Sequence, residues 1–109
     1  MHARVTRFDI DTVSISMASA VARFEEQVLP VLRAQPGYLG MVVLDNVEGA
    51  GLLVSFWACE ADANAALASG FYEEQVRKFV TFYRQPPGRE QFEVAVLESP
   101  PPLPAKVIV

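Results

Sequence analysis

The sequence predicts an α+β domain of the ferredoxin-like kind, ordered β-α-β-β-α-β around an antiparallel sheet. Three observations carry this reading. Two apolar runs, residues 38–46 and 51–58, flank a short connection with glycine at 49 and 51, the pattern of a hairpin. A helical periodicity precedes that hairpin and another follows it. A strand-like segment stands at each end of the set, which completes the split β-α-β arrangement.

Each element has its own signal. In "ARVTRFDIDT", residues 3–12, Thr6, Phe8 and Ile10 alternate with Arg7, Asp9 and Asp11, as in a half-buried strand. "SAVARFEEQVLPVLRAQ", residues 19–35, spaces Val21, Phe24, Val28, Val31 and Leu32 by three and four, an amphipathic helix that Ser16 or Ser19 can cap. Pro30 lacks the N–H that the helical ladder needs and should kink this helix, and Pro36-Gly37 should stop it. The strands "YLGMVVLDN" and "GLLVSFWA" are joined by "VEGA", and Gly40 inside the first points to a bulge or a close backbone approach.

"CEADANAALAS" reads as a short helix broken at Gly70. "FYEEQVRKFVTFYRQ" reads as a second helical piece, with Tyr72, Val76, Phe79, Val80 and Tyr83 on one stripe. Glu73/Arg77 and Glu74/Lys78 take the i, i+4 spacing on its wet side. Pro86-Pro87-Gly88 ends that piece, and "EQFEVAVLE", residues 90–98, is the last strand. The domain is expected to span residues 1–98. Residues 99–109, "SPPPLPAKVIV", form a stiff proline-rich arm with an apolar tip that docks on protein.

The central strands are apolar on both sides. Tyr38, Val42 and Leu44 oppose Leu39, Met41 and Val43; Leu52, Val54 and Phe56 oppose Leu53 and Trp57. Helices can cover one face of a four-stranded sheet. The other face needs a second copy of the chain, so the expectation is a homodimer in which the two sheets form one α+β barrel.

Composition narrows the function. The 109 residues are 51% hydrophobic and 20% charged, as in a globular domain, with a net charge of −4. No stretch clusters Lys and Arg, so neither nucleic acid nor an anionic membrane surface is an expected partner. One cysteine, Cys59, forms no internal disulfide and suits a reducing cytoplasm. No apolar run reaches the ~18 residues of a membrane span. Dinucleotide, phosphate-loop, metalloprotease and nucleophile-elbow motifs are absent, as is any cysteine-pair metal spacing; no metal or cofactor is expected.

At "QPGYLGMVVLD" and "GLLVSFWACEADANAAL" the chain resembles the antibiotic biosynthesis monooxygenase family of dimeric α+β barrels. The shared features are the Pro36-Gly37-Tyr38-Leu39-Gly40 turn into the second strand, Trp57 at the end of the third, and the acidic helix start after it. The likeness runs from about Ala3 to Glu98. It implies a barrel dimer and one of several activities: cofactor-independent oxygenation of polyketide-like aromatics, haem degradation, or none known. In the haem-degrading branch, the positions of an Asn, a Trp and a His ligand correspond here to Phe8, Leu67 and Val76. The chain's one histidine, His2, stands at the start of the sequence, where a frayed end is expected, so haem chemistry of that type is not expected. In the cofactor-independent oxygenases an Asn precedes the strand-ending Trp by four residues; here that residue is Leu53.

The candidate pocket, from the resemblance and the aromatic spacing, is Trp57, Leu53, Phe8, Tyr72, Phe79 and Tyr83. Trp57 would stack on a flat aromatic substrate; its plainer assignment is a core tryptophan between sheet and helix. The Tyr72, Phe79, Tyr83 stripe faces the same choice. Arg7 and Asp9 read as charges on an edge strand, Glu93 as an exposed strand residue, and Cys59 as an ordinary thiol at a helix start. Two functions compete: a cofactor-independent monooxygenase acting on a small hydroquinone- or polyketide-like aromatic, and a non-catalytic dimer binding a hydrophobic metabolite or a partner protein. The first needs polar groups that converge on the cavity.

Overall fold

The computed structural model describes residues 1–46, 48–70, 74, 77, 83 and 88–98. Within these, the elements are β1 (His2–Asp9), α1 (Met17–Gln27), α2 (Leu29–Arg33), β2 (Tyr38–Asp45), β3 (Ala50–Trp57), α3 (Glu60–Ala68) and β4 (Gly88–Glu93). The four strands form one antiparallel sheet in the order β2-β3-β1-β4. The fold is the expected ferredoxin-like one. Of the second helical piece, Glu74 and Arg77 are helical, and Tyr83 bridges to Ile10. Tyr72, Val76, Phe79, Val80, the partners Glu73 and Lys78, and the arm at 99–109 lie outside the described residues.

Local chemistry sets the boundaries. The Ser16 hydroxyl accepts the Ser19 backbone N–H at 3.1 Å and caps α1. Pro30 falls in the first turn of α2, where its missing N–H costs nothing, so the expected kink is a break and restart at Val28. Gly37, at φ +78, turns the chain into β2, and its carbonyl accepts the Ala58 N–H at 2.8 Å. Asn46 ends the strand: its side-chain oxygen accepts the N–H groups of Glu48 and Ala50.

Gly40 does mark a bulge: the β2–β3 register shifts between Tyr38 and Gly40. The shift reverses one expected face. Tyr38 pairs with Trp57, Met41 with Ser55 and Val43 with Leu53, so Tyr38 shares a side with Met41 and Val43 rather than with Val42 and Leu44. β1 is an inner strand between β3 and β4, not an edge; Arg7 is exposed because the sheet face it stands on is open. The last strand is shorter than expected. Val94 gives its N–H to the Met1 carbonyl, and residues 95–98 follow without strand pairing, with Val96 and Leu97 exposed.

All helices in the described residues lie over one face of the sheet. Two apolar clusters fill that layer. Trp57, Val28, Leu32, Ala63 and Ala66 make one, joined by Phe24, Leu29, Tyr38 and Met41. Phe8, Ile10, Ile15 and Ala20 make the other, joined by Met17 and Leu53; Tyr83 packs against both. The opposite face carries Val5 from β1, Val42 and Leu44 from β2, Leu52, Val54 and Phe56 from β3, and Phe92 from β4. Leu44 and Phe92 each leave 49% of their surface in water. No helix of the described residues is long and apolar enough to cross a membrane.

Candidate functional site

Strand parity brings polar side chains under the helices. The register pairs His2 with Glu93, Arg4 with Gln91 and Thr6 with Arg89 across β1 and β4, all on the face that also carries Phe8. His2, Arg4 and Thr6 are buried. A buried charge needs partners. The Arg4 guanidinium lies 5.4 Å from the centre of the Trp57 ring and donates to the Ala63 carbonyl of α3. Trp57 is itself fully buried, directs its indole N–H to the Ser55 hydroxyl at 2.9 Å, and takes Tyr38 edge-on at 5.6 Å. Burial pushes the Tyr38 phenol above its ordinary pKa, with the Arg33 charge opposing.

A cavity of about 270 Å³ opens beside this group, lined by Arg4, Leu67, Arg89, Glu90 and Gln91. Its walls therefore come from β1, β4 and the end of α3. The Glu90 carboxylate reaches Arg7 Nε at 3.4 Å. His2 stands next to the cavity: Nε2 is 3.0 Å from the Gln91 side-chain oxygen, and Nδ1 is 3.5 Å from a Glu93 carboxylate oxygen. Such a site can hold a small apolar ring against Leu67 and direct fixed positive charge at an oxygen on that ring. No group of three or more potential metal-binding side chains occurs among the described residues.

The sequence matches no family model and no curated protein. Solved structures do match. A protein of unknown function from Nitrosomonas europaea superposes with a TM-score of 0.71 at 21% identity, covering 91% of this chain and 93% of that one. SnoaB, a cofactor-independent oxygenase from Streptomyces nogalater, matches at TM-score 0.70 and 12% identity, over 88% and 94% of the two chains. The heme-degrader MhuD from Mycobacterium tuberculosis, with two hemes in its active site, matches at 0.66 and 17%, over 91% and 100%. Further matches are named as antibiotic biosynthesis monooxygenases.

The chain has the antibiotic biosynthesis monooxygenase fold.

On this fold the expected pocket residues occupy distinct places. Phe8 and Leu53 pack with Tyr83 in one core cluster, and Trp57 anchors the other. Tyr72 and Phe79 lie outside the described residues. Of the positions compared with the haem-degrading branch, Phe8 is in the core, Leu67 is on the cavity wall and Val76 lies outside the described residues. His2 departs from expectation. It is not frayed but 4% exposed, held between Gln91 and Glu93 by the ladder that β1 makes with β4.

Arg4, Arg89 and Gln91 escaped the sequence reading. For Arg4 a signal existed: it has the parity of Thr6, Phe8 and Ile10, so extending that alternation two residues back places it on the buried side. Arg89 and Gln91 had no comparable mark, because "GREQFE" has one apolar residue, Phe92, and it belongs to the open face.

Proposed function

We infer that this chain is a cofactor-independent oxygenase for a small aromatic substrate held in the cavity between β1, β4 and α3, working as a homodimer. One observation carries the reading: a buried, oriented arginine, Arg4, shares a cavity wall with apolar Leu67. An electron-rich aromatic that has lost a proton reacts with dioxygen directly, so the protein's task is to stabilise the anion and exclude water. Arg4 and Arg89 supply the positive charge, and Leu67 supplies the dry surface. Trp57 acts from beneath, as the ring that holds Arg4 in place. The similarity in fold to SnoaB supports the same reaction class.

The test is oxygen uptake with a naphthohydroquinone in the presence of a chelator. The protein should accelerate uptake over buffer, and Arg89→Gln should slow it by about a hundredfold, the low end of the ~10²–10³ range for one lost charge-stabilising donor. Uptake no faster than in buffer would overturn the proposal. A second reading has one observation in its favour. The indole N–H of Trp57 is committed to Ser55 and its ring is sealed, which suits a module that binds an aromatic ligand without turning it over. Saturable binding without oxygen uptake would select it.

A further inference from the structure

Resting on that reading of the cavity, we propose that His2 is a positioning residue worked by a proton. Its protonation state sets which end of the Gln91 amide is turned to the cavity, and so whether that wall donates or accepts a hydrogen bond. Gln91 lines the cavity, and its side-chain oxygen is 3.0 Å from His2 Nε2. A carboxamide oxygen only accepts, so Nε2 carries the proton of this contact and the amide N–H groups are left for the cavity. The other ring nitrogen, Nδ1, is 3.5 Å from a Glu93 carboxylate oxygen and makes no hydrogen bond. Both neighbours of the ring are therefore acceptors.

That arrangement suits an imidazolium, which offers a proton to each side. When one proton leaves, a ring that kept its proton on Nε2 would turn a bare lone pair on Nδ1 toward a carboxylate. Placing the proton on Nδ1 restores the attraction to Glu93 and makes Nε2 an acceptor. Nε2 then needs a donor, and a half-turn of the Gln91 amide supplies one while sending its oxygen to the cavity. Water cannot settle the matter instead. His2 is 4% exposed, and the β1 ladders to Trp57 on one side and Glu93 on the other hold its backbone in place. The Glu93 side chain is 75% exposed, so its carboxylate is free to close on Nδ1.

The other charged groups around the ring are committed elsewhere or further off. Arg4, two residues along β1, is held by the Trp57 ring and the Ala63 carbonyl, and Arg89 of β4 is opposite Thr6. From β3 comes Trp57, with the Tyr38 phenol of β2 edge-on to it. The acids of α3, Glu60 and Asp62, are in its first turn, where Asp62 accepts from the Cys59 thiol at 3.3 Å. The Met1 amino group is next to His2 in the chain. Among the described residues Glu93 is the one acid at ion-pair distance from the ring. Imidazoles change charge between about pH 5 and 8. In acid the wall therefore donates and suits a carbonyl or oxyanion; in mild alkali it accepts and suits a hydroxyl.

The chain has one histidine, so nitrogen-15 labelling of histidine in the untagged protein reports a single ring by NMR. Both ring nitrogens should be protonated at about pH 5.5, and only Nδ1 at about pH 8. A ring that keeps its proton on Nε2 at pH 8 would overturn the proposal and leave the cavity reading intact. Calorimetry at the same two pH values then compares 1-tetralone, which only accepts, with 2-naphthol, which donates or accepts; neither probe changes charge over that range. The tetralone-to-naphthol affinity ratio should fall by about tenfold from acid to alkali, because the ketone loses a hydrogen bond that the naphthol retains. Glu93→Gln, outside the cavity wall, should hold the proton on Nε2 and keep the acid ratio at pH 8. His2→Gln, which retains the Met1 amino group, should abolish the pH dependence. A wild-type ratio that does not change with pH, or a change that survives in both variants, would overturn the role of His2. Binding of neither probe at either pH would overturn the cavity reading, and with it the ligand choice assigned to Gln91.

Discussion

Trp57 is where the side-chain chemistry of this protein is most tightly coupled. It fills the core, its N–H satisfies the Ser55 hydroxyl, and its ring faces the Arg4 guanidinium. Trp57→Phe removes the N–H and part of the volume at once. It should destabilise the fold by about 1–3 kcal/mol, below the ~3–5 kcal/mol of a truncation to alanine, as read by urea denaturation. In that background Ser55→Ala should cost little more, because the serine has already lost its donor; an additive loss would show the hydrogen bond to be unimportant. Tyr38, edge-on to the same ring, gives a pH signature. Its folded pKa is raised, so the folded state keeps a proton that the unfolded chain gives up first. Stability is thus unaffected at neutral pH and falls as pH climbs above the unfolded value of about 10. Tyr38→Phe should flatten the alkaline limb of a melting-temperature profile above about pH 10, leaving only the slope due to other groups.

At the level of elements, β1 and β3 depend on a residue with no side chain. Gly51 pairs with Phe8, and a Cβ there would meet the Phe8 ring and the Leu44 carbonyl across the hairpin. The glycine makes room for the ring, and the ring covers the bare backbone. Gly51→Val should cost about 1–3 kcal/mol by overpacking, and Phe8→Ala in the same chain should recover part of it, a negative coupling visible in a double-mutant cycle. The order of elements was legible in the sequence because the segments carry periodicity and boundary signals of their own: Ser16, Pro30, Pro36-Gly37 and Gly49. What escaped were relations between elements. The face of Tyr38 depends on how Gly40 is accommodated against β3, and the inner place of β1 depends on β4 pairing with it. The arginine pair of the site is of the same kind. Arg4 and Arg89 are 85 positions apart in the chain and become neighbours only through the β1–β4 register.

For the whole molecule, the decisive feature is the sheet face that no helix of the described residues covers. Val5, Val42, Leu44, Leu52, Val54, Phe56 and Phe92 are contiguous across all four strands, and the chain has no further described element to lay over them. Apolar patches of this kind mark interaction surfaces, and a second copy brings a matching one. Polar groups sit at one end of the face, where Arg7 and Glu90 form an exposed pair, as at the rim of an interface. Light scattering should therefore give twice the chain mass of 12.0 kDa at micromolar concentration. Val54 lies on β3 toward the middle of the face, with Val5 and Val42 as its cross-strand neighbours. Val54→Glu would bury a carboxylate in the centre of each copy's contact surface, a cost of several kcal/mol unless the copies separate. The variant should run at the monomer mass with its far-ultraviolet dichroism retained, whereas Arg7→Ala, at the rim, should leave the dimer intact. A wild-type chain that scatters as a monomer would refute the dimer, and a Val54→Glu protein that stays dimeric would place the contact on some other surface.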